Sequence, residues 1–292
     1  MKIFITGGTG FVGRYLVQEL SRRGHHTKLL VHKKKSVTDS LSEQIEGDIT
    51  RPETFVHAVT GCDAVIHLVG IIREFPSRGI TFELLHVQAT ANILAAAKTA
   101  GVRRYLHMSA LGTRENAVSG YHKTKFRAEE LVRDCGLECT IMRPSLIYGA
   151  GDAFISMLAK QLRLAPVIPV IGNGEYRLQP IHAGDIATCF ALALDKPETV
   201  GKSYELCGNE RFSYNDLLDV VAEAIGRSSV KKLHLPLALM KMIIPTMQRV
   251  PQFPVTMDQL QMLLEENICD CSWKNTFAIT ARNFREAIRE YL

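Results

Sequence analysis

Three glycines near the start of the chain have the spacing of a phosphate-binding turn. Gly7, Gly10 and Gly13 follow a strand-like apolar run at residues 3–5 and precede a helical pattern. In a strand–turn–helix unit the first glycine permits the tight turn and the second lets a pyrophosphate approach the backbone. The third lets the helix pack closely on the sheet. Because a helix N-terminus also attracts phosphate charge, this spacing predicts a dinucleotide-binding turn.

The residues after the second predicted strand indicate which dinucleotide binds. An NAD site usually carries an acidic residue there, which holds the ribose hydroxyls. This chain instead has His32, Lys33, Lys34 and Lys35, with no acidic residue before Asp39. Lysines attract a 2′-phosphate, which an acidic side chain would repel. We therefore favour NADP(H) over NAD(H), and the alternative of a solvated charged loop stays open.

Strand and helix patterns alternate through the first half of the sequence. We predict strands over residues 3–5, 27–32, 43–48, 64–69, 104–108 and 138–142, and helices ending at residue 23 and over 51–59, 81–100 and 121–134. This alternation predicts right-handed βαβ units and an α/β fold of the Rossmann type, with a doubly wound parallel sheet. Ligands of such sheets bind at the carboxyl ends of the strands. Asp48, after the third strand, would then lie near the adenine.

The sequence changes character after residue 144, where prolines and glycines interrupt shorter elements. We predict a dinucleotide-binding domain over residues 1–165, to which a helix at 183–196 returns, and a smaller α/β lobe for substrate or partner over 166–292. Residues 233–247 are rich in Leu, Ile and Met. We expect them to form core of the lobe, with a face for an apolar substrate, a partner subunit or a membrane surface as the alternative.

Composition limits the classes of function. The 292 residues are 46% hydrophobic and 22% charged, with a formal net charge of +5. We find no long basic tract, which argues against nucleic-acid binding. No stretch reaches the ~18 apolar residues of a membrane span and no signal peptide precedes the first strand, which favours a cytoplasmic protein, with attachment to a membrane complex as an alternative. The seven scattered cysteines, Cys269 and Cys271 included, predict reduced thiols and no metal site.

Four motifs occur in order along the chain. They are Thr6-Gly7-Gly8-Thr9-Gly10-Phe11-Val12-Gly13, Asp63-Ala64-Val65-Ile66-His67-Leu68-Val69-Gly70, Tyr121-His122-Lys123-Thr124-Lys125 and Arg143-Pro144-Ser145-Leu146-Ile147-Tyr148-Gly149. Together they resemble the motifs of extended short-chain dehydrogenases/reductases, the NAD-dependent epimerase/dehydratase superfamily, over roughly residues 1–210. The stretch at 256–264 is similar to an atypical branch that includes the NAD(P)H-binding accessory subunit of respiratory complex I and its bacterial relatives.

The resemblance implies the catalytic residues. Tyr121 would be the general acid/base, and Lys125 lies one helical turn later on the same face. Its ammonium would lower the pKa of the phenol and hydrogen-bond the nicotinamide ribose. The family places a Ser or Thr after the fifth strand, where this chain has Ser109 followed by Ala110. Whether catalytic Ser109 or the inert Ala110 takes that position stays open.

The glycine turn, the lysine loop and the resemblance together define the expected cofactor-binding residues. They are Gly7, Thr9, Gly10, Phe11, Val12, Gly13, His32, Lys33, Lys34, Asp48, Ile49, Leu68, Val69, Gly70, Met108, Tyr121, Lys125, Pro144 and Ser145. We favour an NADP(H)-dependent oxidoreductase that acts on a carbonyl or alcohol of an unidentified small molecule. Two alternatives stay open: a non-catalytic NADP(H)-binding subunit, and a nucleotide-sugar epimerase or dehydratase that uses NAD.

Overall fold

The computed structural model describes residues 1–33, 40–248, 253 and 255–292. The strands are β1 (Lys2–Thr6), β2 (His26–Val31), β3 (Ser42–Glu46), β4 (Ala64–His67), β5 (Arg104–Met108), β6 (Glu138–Pro144), β7 (Ile147–Tyr148), β8 (Val167–Ile171), β9 (Arg177–Leu178), β10 (Ile181–His182), β11 (Lys202–Leu206), β12 (Phe212–Ser213) and β13 (Lys231–Leu235). The helices are α1 (Phe11–Arg22), α2 (Val56–Val59), α3 (Ala89–Thr99), α4 (Gly120–Arg133), α5 (Phe154–Leu164), α6 (Ala183–Leu194), α7 (Tyr214–Ala224), α8 (Leu237–Met247), α9 (Met257–Leu264), α10 (Trp273–Phe277) and α11 (Phe284–Arg289).

The described residues form a seven-stranded sheet in the order β11-β6-β5-β4-β1-β2-β3. All of its strand pairs are parallel. The strand order reverses between β1 and β4, which places a crevice at the carboxyl ends of these two strands. The predicted doubly wound fold is therefore confirmed, with the glycine turn at the crevice. β11, from the region predicted to be the lobe, is an edge strand of this sheet.

Apolar side chains of the sheet pack into two layers because successive residues of a strand face opposite sides. Ile3 and Ile5 belong to the core under α1, α6 and α10. Phe4 faces the other way, into the core under α2 and α3. A third core joins α5, α7 and α11 around Tyr148. Short pairs, β7 with β10, β8 with β13 and β9 with β12, complete the C-terminal part.

Several predicted element boundaries differ from the structure. The helix predicted over 81–100 begins as a π-helix at Glu83–Gln88 and continues as α3. The helix predicted over 51–59 is a 3₁₀ turn at Pro52–Thr54 followed by α2. Pro52 has the fixed φ that suits the first residue of a helix, but the 3₁₀ helix that it begins is only three residues long. The first difference lies at the start of a helix, where local sequence specifies least. The second is a break at Phe55, within the predicted helix.

The prediction that all cysteines are reduced thiols is wrong for two of them. Cys207 and Cys269 form a disulfide, which joins the end of β11 to the segment before α10. The Cys271 Sγ lies 3.4 Å from the Cys207 Sγ. Among the described residues, Cys207, Cys269 and Cys271 are the one group of side chains placed closely enough to hold a metal ion, but the disulfide leaves only Cys271 with a free thiol. The sequence indicated only that Cys269 and Cys271 lie close together. Cys207 is 62 residues before Cys269 and comes near them only in the folded chain.

The expectation that residues 233–247 form core of the lobe is wrong for most of the stretch. It forms the end of β13 and all of α8. Within α8, whose residues are all described, Ile244 alone is fully buried. No helix in the described ranges combines the length and apolar character that crossing a lipid bilayer requires.

Candidate functional site

The glycine turn depends on the absence of side chains at two positions. Gly7 has a φ of +77°, a conformation that other residues rarely adopt. A Cβ on Gly13 would lie 2.3 Å from the Gly7 carbonyl oxygen, so the first turn of α1 rests directly on the loop. Gly10 is more permissive, because its Cβ would meet the same oxygen at 3.1 Å. The Gly10 N–H donates to that carbonyl at 3.0 Å and closes the turn.

The start of α1 fits a pyrophosphate. Gly10 is its N-cap and offers no side chain to the first-turn N–H groups. Such groups have no partner within a helix and favour an anion. Thr9 and Gly10 are exposed beside them, whereas Val12 is buried in the core and the Phe11 ring contacts a neighbouring tyrosine. Of the predicted loop residues, Thr9 and Gly10 are therefore open to a phosphate, whereas Phe11 and Val12 are packed against the protein.

The residues predicted to lie near the 2′-phosphate and the adenine of the cofactor follow β2 and β3. His32 and Lys33 are exposed, while Lys34 lies outside the described residues. Asp48 accepts hydrogen bonds from the Thr50 N–H and hydroxyl at 2.8 and 2.7 Å. Burial raises the pKa of Asp48, but these hydrogen bonds and the nearby His32 charge outweigh it, so the pKa is lowered. Ile49, the next residue, is buried in the core beneath α3.

The residues after β4 form the next part of the site. The Leu68 N–H donates to the Thr6 carbonyl at 3.0 Å, which continues the pairing of β4 with β1 beyond the strand. Leu68 is buried, and Val69 packs partly buried against the core under α3. A Cβ on Gly70 would lie 2.9 Å from the Lys125 Nζ. Gly70 thus leaves room for the lysine at the crevice.

Tyr121 and Lys125 lie one turn apart on α4, and both are buried. The Lys125 Nζ donates to the Met108 carbonyl at 3.1 Å, which ties α4 to the end of β5. Burial raises the pKa of Tyr121 to about 12. Burial also lowers the pKa of Lys125 to about 8, although the Glu129 carboxylate acts in the opposite direction. The expected lowering of the Tyr121 pKa is therefore not found, because desolvation of the phenol dominates.

Apolar side chains surround Tyr121. Phe82 and Ala110 are buried against it, and Ile71 and Met262 pack partly buried on the same cluster. The Phe82 and Tyr121 rings meet edge to face with centroids 5.8 Å apart. Tyr121, Ile71, Phe82, Ala110 and Met262 thus form one apolar cluster, here called the Tyr121 pocket, in which the side chains pack against one another.

Ser109 and Ala110 have different surroundings. The Ser109 hydroxyl donates to the Thr113 hydroxyl at 3.4 Å, and the Ser109 N–H donates to the Met142 carbonyl at 2.7 Å. Ala110, the next residue, is the one that packs in the Tyr121 pocket. At the end of β6, beside Pro144, the Ser145 hydroxyl donates to a backbone carbonyl. Both serine hydroxyls are thus already engaged with the protein.

His86 is a part of the site that sequence reasoning missed. It lies in the π-helix, stacks on Phe82 with centroids 5.2 Å apart, and meets the edge of Tyr121 at 5.4 Å. Its Nδ1 is 2.9 Å from the Thr124 hydroxyl, and its Nε2 is 3.1 Å from the Ile71 carbonyl. Burial and the Lys125 charge lower the pKa of His86 to about 2, so the imidazole is neutral. A single histidine within a helical pattern of apolar residues does not predict a contact with Tyr121.

Comparison with known proteins places the fold and the turn in one family. Residues 3–207 match the NAD dependent epimerase/dehydratase family. The chain belongs to this family, as its four motifs predict. Its fold is also that of MoeE5 in complex with UDP-glucose and NAD, with a TM-score of 0.76, 20% identity, and 99% and 96% of the two chains covered. Family membership supports a nicotinamide dinucleotide as the ligand of the glycine turn.

Curated relatives fall into two groups. The complex I subunit "NADH dehydrogenase [ubiquinone] 1 alpha subcomplex subunit 9, mitochondrial" of Dictyostelium discoideum is 31% identical over 80% of this chain and 66% of its own length. Ceramide reductase of Caulobacter vibrioides is 31% identical, with 63% and 58% covered. The 2-alkyl-3-oxoalkanoate reductase of Stenotrophomonas maltophilia is 27% identical, with 80% and 78% covered. The chain thus spans slightly less than two thirds of the Dictyostelium subunit.

Proposed function

We propose that this protein is an NAD(P)H-dependent oxidoreductase that interconverts a carbonyl and an alcohol on an apolar substrate. The observation that carries the proposal is the Tyr121 pocket, which places a buried phenol among the side chains of Ile71, Phe82, Ala110 and Met262. An alkyl or acyl chain gains free energy on entering such walls. The hydroxyls of a nucleotide sugar would lose hydrogen bonds to water there, which disfavours the epimerase alternative.

Tyr121 and Lys125 on α4 have different roles in the proposed reaction. A bound NAD(P)H supplies the hydride. Tyr121 donates its phenolic proton to the substrate oxygen, and its high pKa keeps the phenol protonated at neutral pH. Lys125, held by the Met108 carbonyl, places positive charge near the tyrosinate that this transfer leaves. The glycine turn and the residues from Leu68 to Gly70 would hold the dinucleotide along the crevice.

Two relatives support an apolar substrate. Their names describe a ceramide reductase and a 2-alkyl-3-oxoalkanoate reductase. Both names describe reduction, and the second describes a carbonyl beside an alkyl chain. Such a substrate would present its chain to the Tyr121 pocket and its carbonyl to the phenol. The proposal therefore rests on the pocket walls, and these relatives agree with it.

The proposed cofactor preference is for NADP(H). Lys33 is exposed at the end of β2, where a 2′-phosphate would lie, and no acidic residue lies between the end of β2 and Asp39 in the sequence. Ion-assisted hydrogen bonds to a phosphate are worth roughly 1.5–3 kcal/mol each before screening. We expect NADPH to bind at least tenfold tighter than NADH, and Lys33→Ala to reduce that ratio more than Lys33→Arg. Equal affinities in a fluorescence titration would show that the lysine loop is only solvated charge.

Ala110 favours a second candidate, a non-catalytic subunit that binds NADP(H). Alanine supplies no hydroxyl beside Tyr121, where the family places a Ser or Thr donor. Complex I subunits among the relatives support this candidate. It predicts tight NADPH binding, which stabilises the fold in proportion to ligand concentration, without turnover of any substrate.

A chain-length series tests the proposal. With NADPH in excess, kcat/KM is measured for 3-oxo esters with alkyl chains of increasing length, and for UDP-glucose as the polar comparison. We expect about fourfold higher kcat/KM for each added methylene that becomes buried against this cluster, since each buried CH₂ contributes ~0.8 kcal/mol. Met262→Glu should flatten this dependence, whereas Met157→Glu, at an exposed methionine on α5, should not. A flat series contradicts the apolar site, and NADPH binding without any turnover favours the second candidate.

A further inference from the structure

The outer face of α8 is apolar. Met242 is 70% exposed, Leu239 is 41% exposed, Met247 is 38% exposed and Ile243 is 37% exposed. Lys241 is the one charged side chain of this fully described helix. A helix on the surface of a globular protein normally turns a polar face to water. This face, together with the 55% exposed Leu233 of β13, therefore has the composition of a contact surface.

The inner side of α8 is held by the protein. Ile244 is buried there, and α8 packs against α9. The Met257 N–H at the start of α9 donates to the Gln248 side chain at 3.0 Å. α9 in turn carries Met262 to the Tyr121 pocket. The apolar face is thus one helix away from the site and is fixed relative to it.

The positive charge of the residues around α8 favours an anionic partner for its apolar face. Residues 224–257 contain five Lys and Arg residues and no Asp or Glu. Their formal charge equals the net charge of +5 of the entire chain, so the rest of the chain is formally neutral. Lys232 is paired with Asp219 of α7, whereas Lys231 and Lys241 are exposed. The positive excess of the protein is therefore concentrated in the same segment as its apolar helix.

We infer that the segment from β13 to α8 docks on an anionic lipid bilayer. The apolar side chains of α8 enter the interface between headgroups and acyl chains, and the lysines contact lipid phosphates. An interfacial helix combines an apolar face with cationic residues in this way, and anionic lipids attract such residues. The helix lies on the membrane and does not span it. This inference does not depend on which reaction the Tyr121 pocket performs.

Co-sedimentation of the full chain with vesicles tests the inference. The probes are phosphatidylcholine vesicles with and without about one third phosphatidylglycerol. We expect at least tenfold stronger binding to the anionic vesicles, and a loss of that preference at high salt. The double variant Met242→Glu with Ile243→Glu should weaken binding at least tenfold. Lys241→Glu should reduce the preference for anionic lipid while leaving the apolar face in place.

Leu131→Glu is the matched control, because Leu131 on α4 is 37% exposed, as Ile243 is. It should bind vesicles like the wild type. NADPH titration of every variant reports that each is folded. Three results would overturn the inference: no sedimentation of the wild type, equal binding to neutral and anionic vesicles, or equal weakening by Leu131→Glu. A concentration-dependent dimer that Met242→Glu dissociates would also overturn it, since a second copy of the chain would then cover the face.

Discussion

The glycine turn and the Tyr121 pocket share the crevice of the sheet but are built in different ways. The turn is one short stretch of chain, and its shape depends on backbone groups approaching without side chains. The pocket gathers Ile71, Phe82, Ala110 and Met262 from four separate segments, and its character depends on those side chains. The turn therefore specifies that a dinucleotide binds, and the pocket specifies what reacts with it.

Gly13→Ala should have the largest effect. Its Cβ would lie 2.3 Å from the Gly7 carbonyl oxygen and 2.6 Å from the Gly8 backbone, so α1 must move away from the loop. We expect NADPH affinity to fall about 1,000-fold, roughly 4 kcal/mol. Gly10→Ala, with a single contact at 3.1 Å, should cost much less. Fluorescence titration measures both, and equal losses would show that backbone approach does not define the turn.

Lys125 lies where the two regions meet, and its pKa makes stability depend on pH. The folded pKa is lowered from 10.5 to about 8, so between these values the unfolded lysine keeps a proton that the folded one releases. Unfolding free energy should therefore rise with pH by roughly 2–3 kcal/mol between pH 8 and 10, and stay flat below pH 8. The reference is Lys125→Met in denaturant titrations without nucleotide. A difference between the two proteins that is independent of pH would contradict the buried lysine.

Ala110→Ser tests the effect of a hydroxyl beside Tyr121, where the protein has only the Ala110 methyl group. The change places a hydroxyl beside Tyr121, where it can donate a hydrogen bond to the substrate oxygen. We expect kcat to rise about tenfold, equivalent to ~1.4 kcal/mol of transition-state stabilisation. Ser109→Ala is the comparison, because that hydroxyl is engaged with Thr113 and its loss should change kcat little. Loss of turnover in Ser109→Ala would instead assign Ser109 to the catalytic position.

Ser119→Ala should have the smallest effect of this series. The Ser119 hydroxyl caps α4 by accepting a hydrogen bond from the His122 N–H at 3.2 Å. Ser119 lies two residues before Tyr121 in the sequence. Losing a cap costs about 1 kcal/mol of unfolding free energy. Asn283→Ala removes the corresponding cap of α11, far along the chain. Both should lower stability similarly, and Ser119→Ala alone should lower kcat/KM, because it loosens the helix that holds the phenol.

Much of the cofactor end was predictable because its requirements are local. A turn that needs glycine at 7 and 13, between a strand and a helix, leaves a pattern in adjacent residues. The alternation of apolar strands and amphipathic helices likewise predicts the parallel sheet. The positions of Tyr121 and Lys125 on one helical face follow from their spacing alone.

The pocket walls and the disulfide were not predictable in this way. Met262 meets Tyr121 only when the C-terminal helix α9 folds back, and Phe82 reaches it from the segment before the π-helix. The residues next to them in sequence do not predict either contact. Cys207 and Cys269 are brought together across 62 residues, which spacing cannot reveal. The pKa of Tyr121 also depends on burial by these distant segments, so an expectation based on Lys125 alone had the wrong direction.

The most direct test of the account is a single-turnover reaction with Tyr121→Phe. Protein carrying NADPH is mixed with the best 3-oxo ester, and loss of NADPH absorbance is followed by stopped flow. We predict that the variant binds NADPH within about threefold of the wild type but transfers hydride at least ~100-fold more slowly, as removal of a general acid requires. Hydride transfer at the wild-type rate in Tyr121→Phe would contradict the assignment of Tyr121 as the proton donor in the apolar pocket.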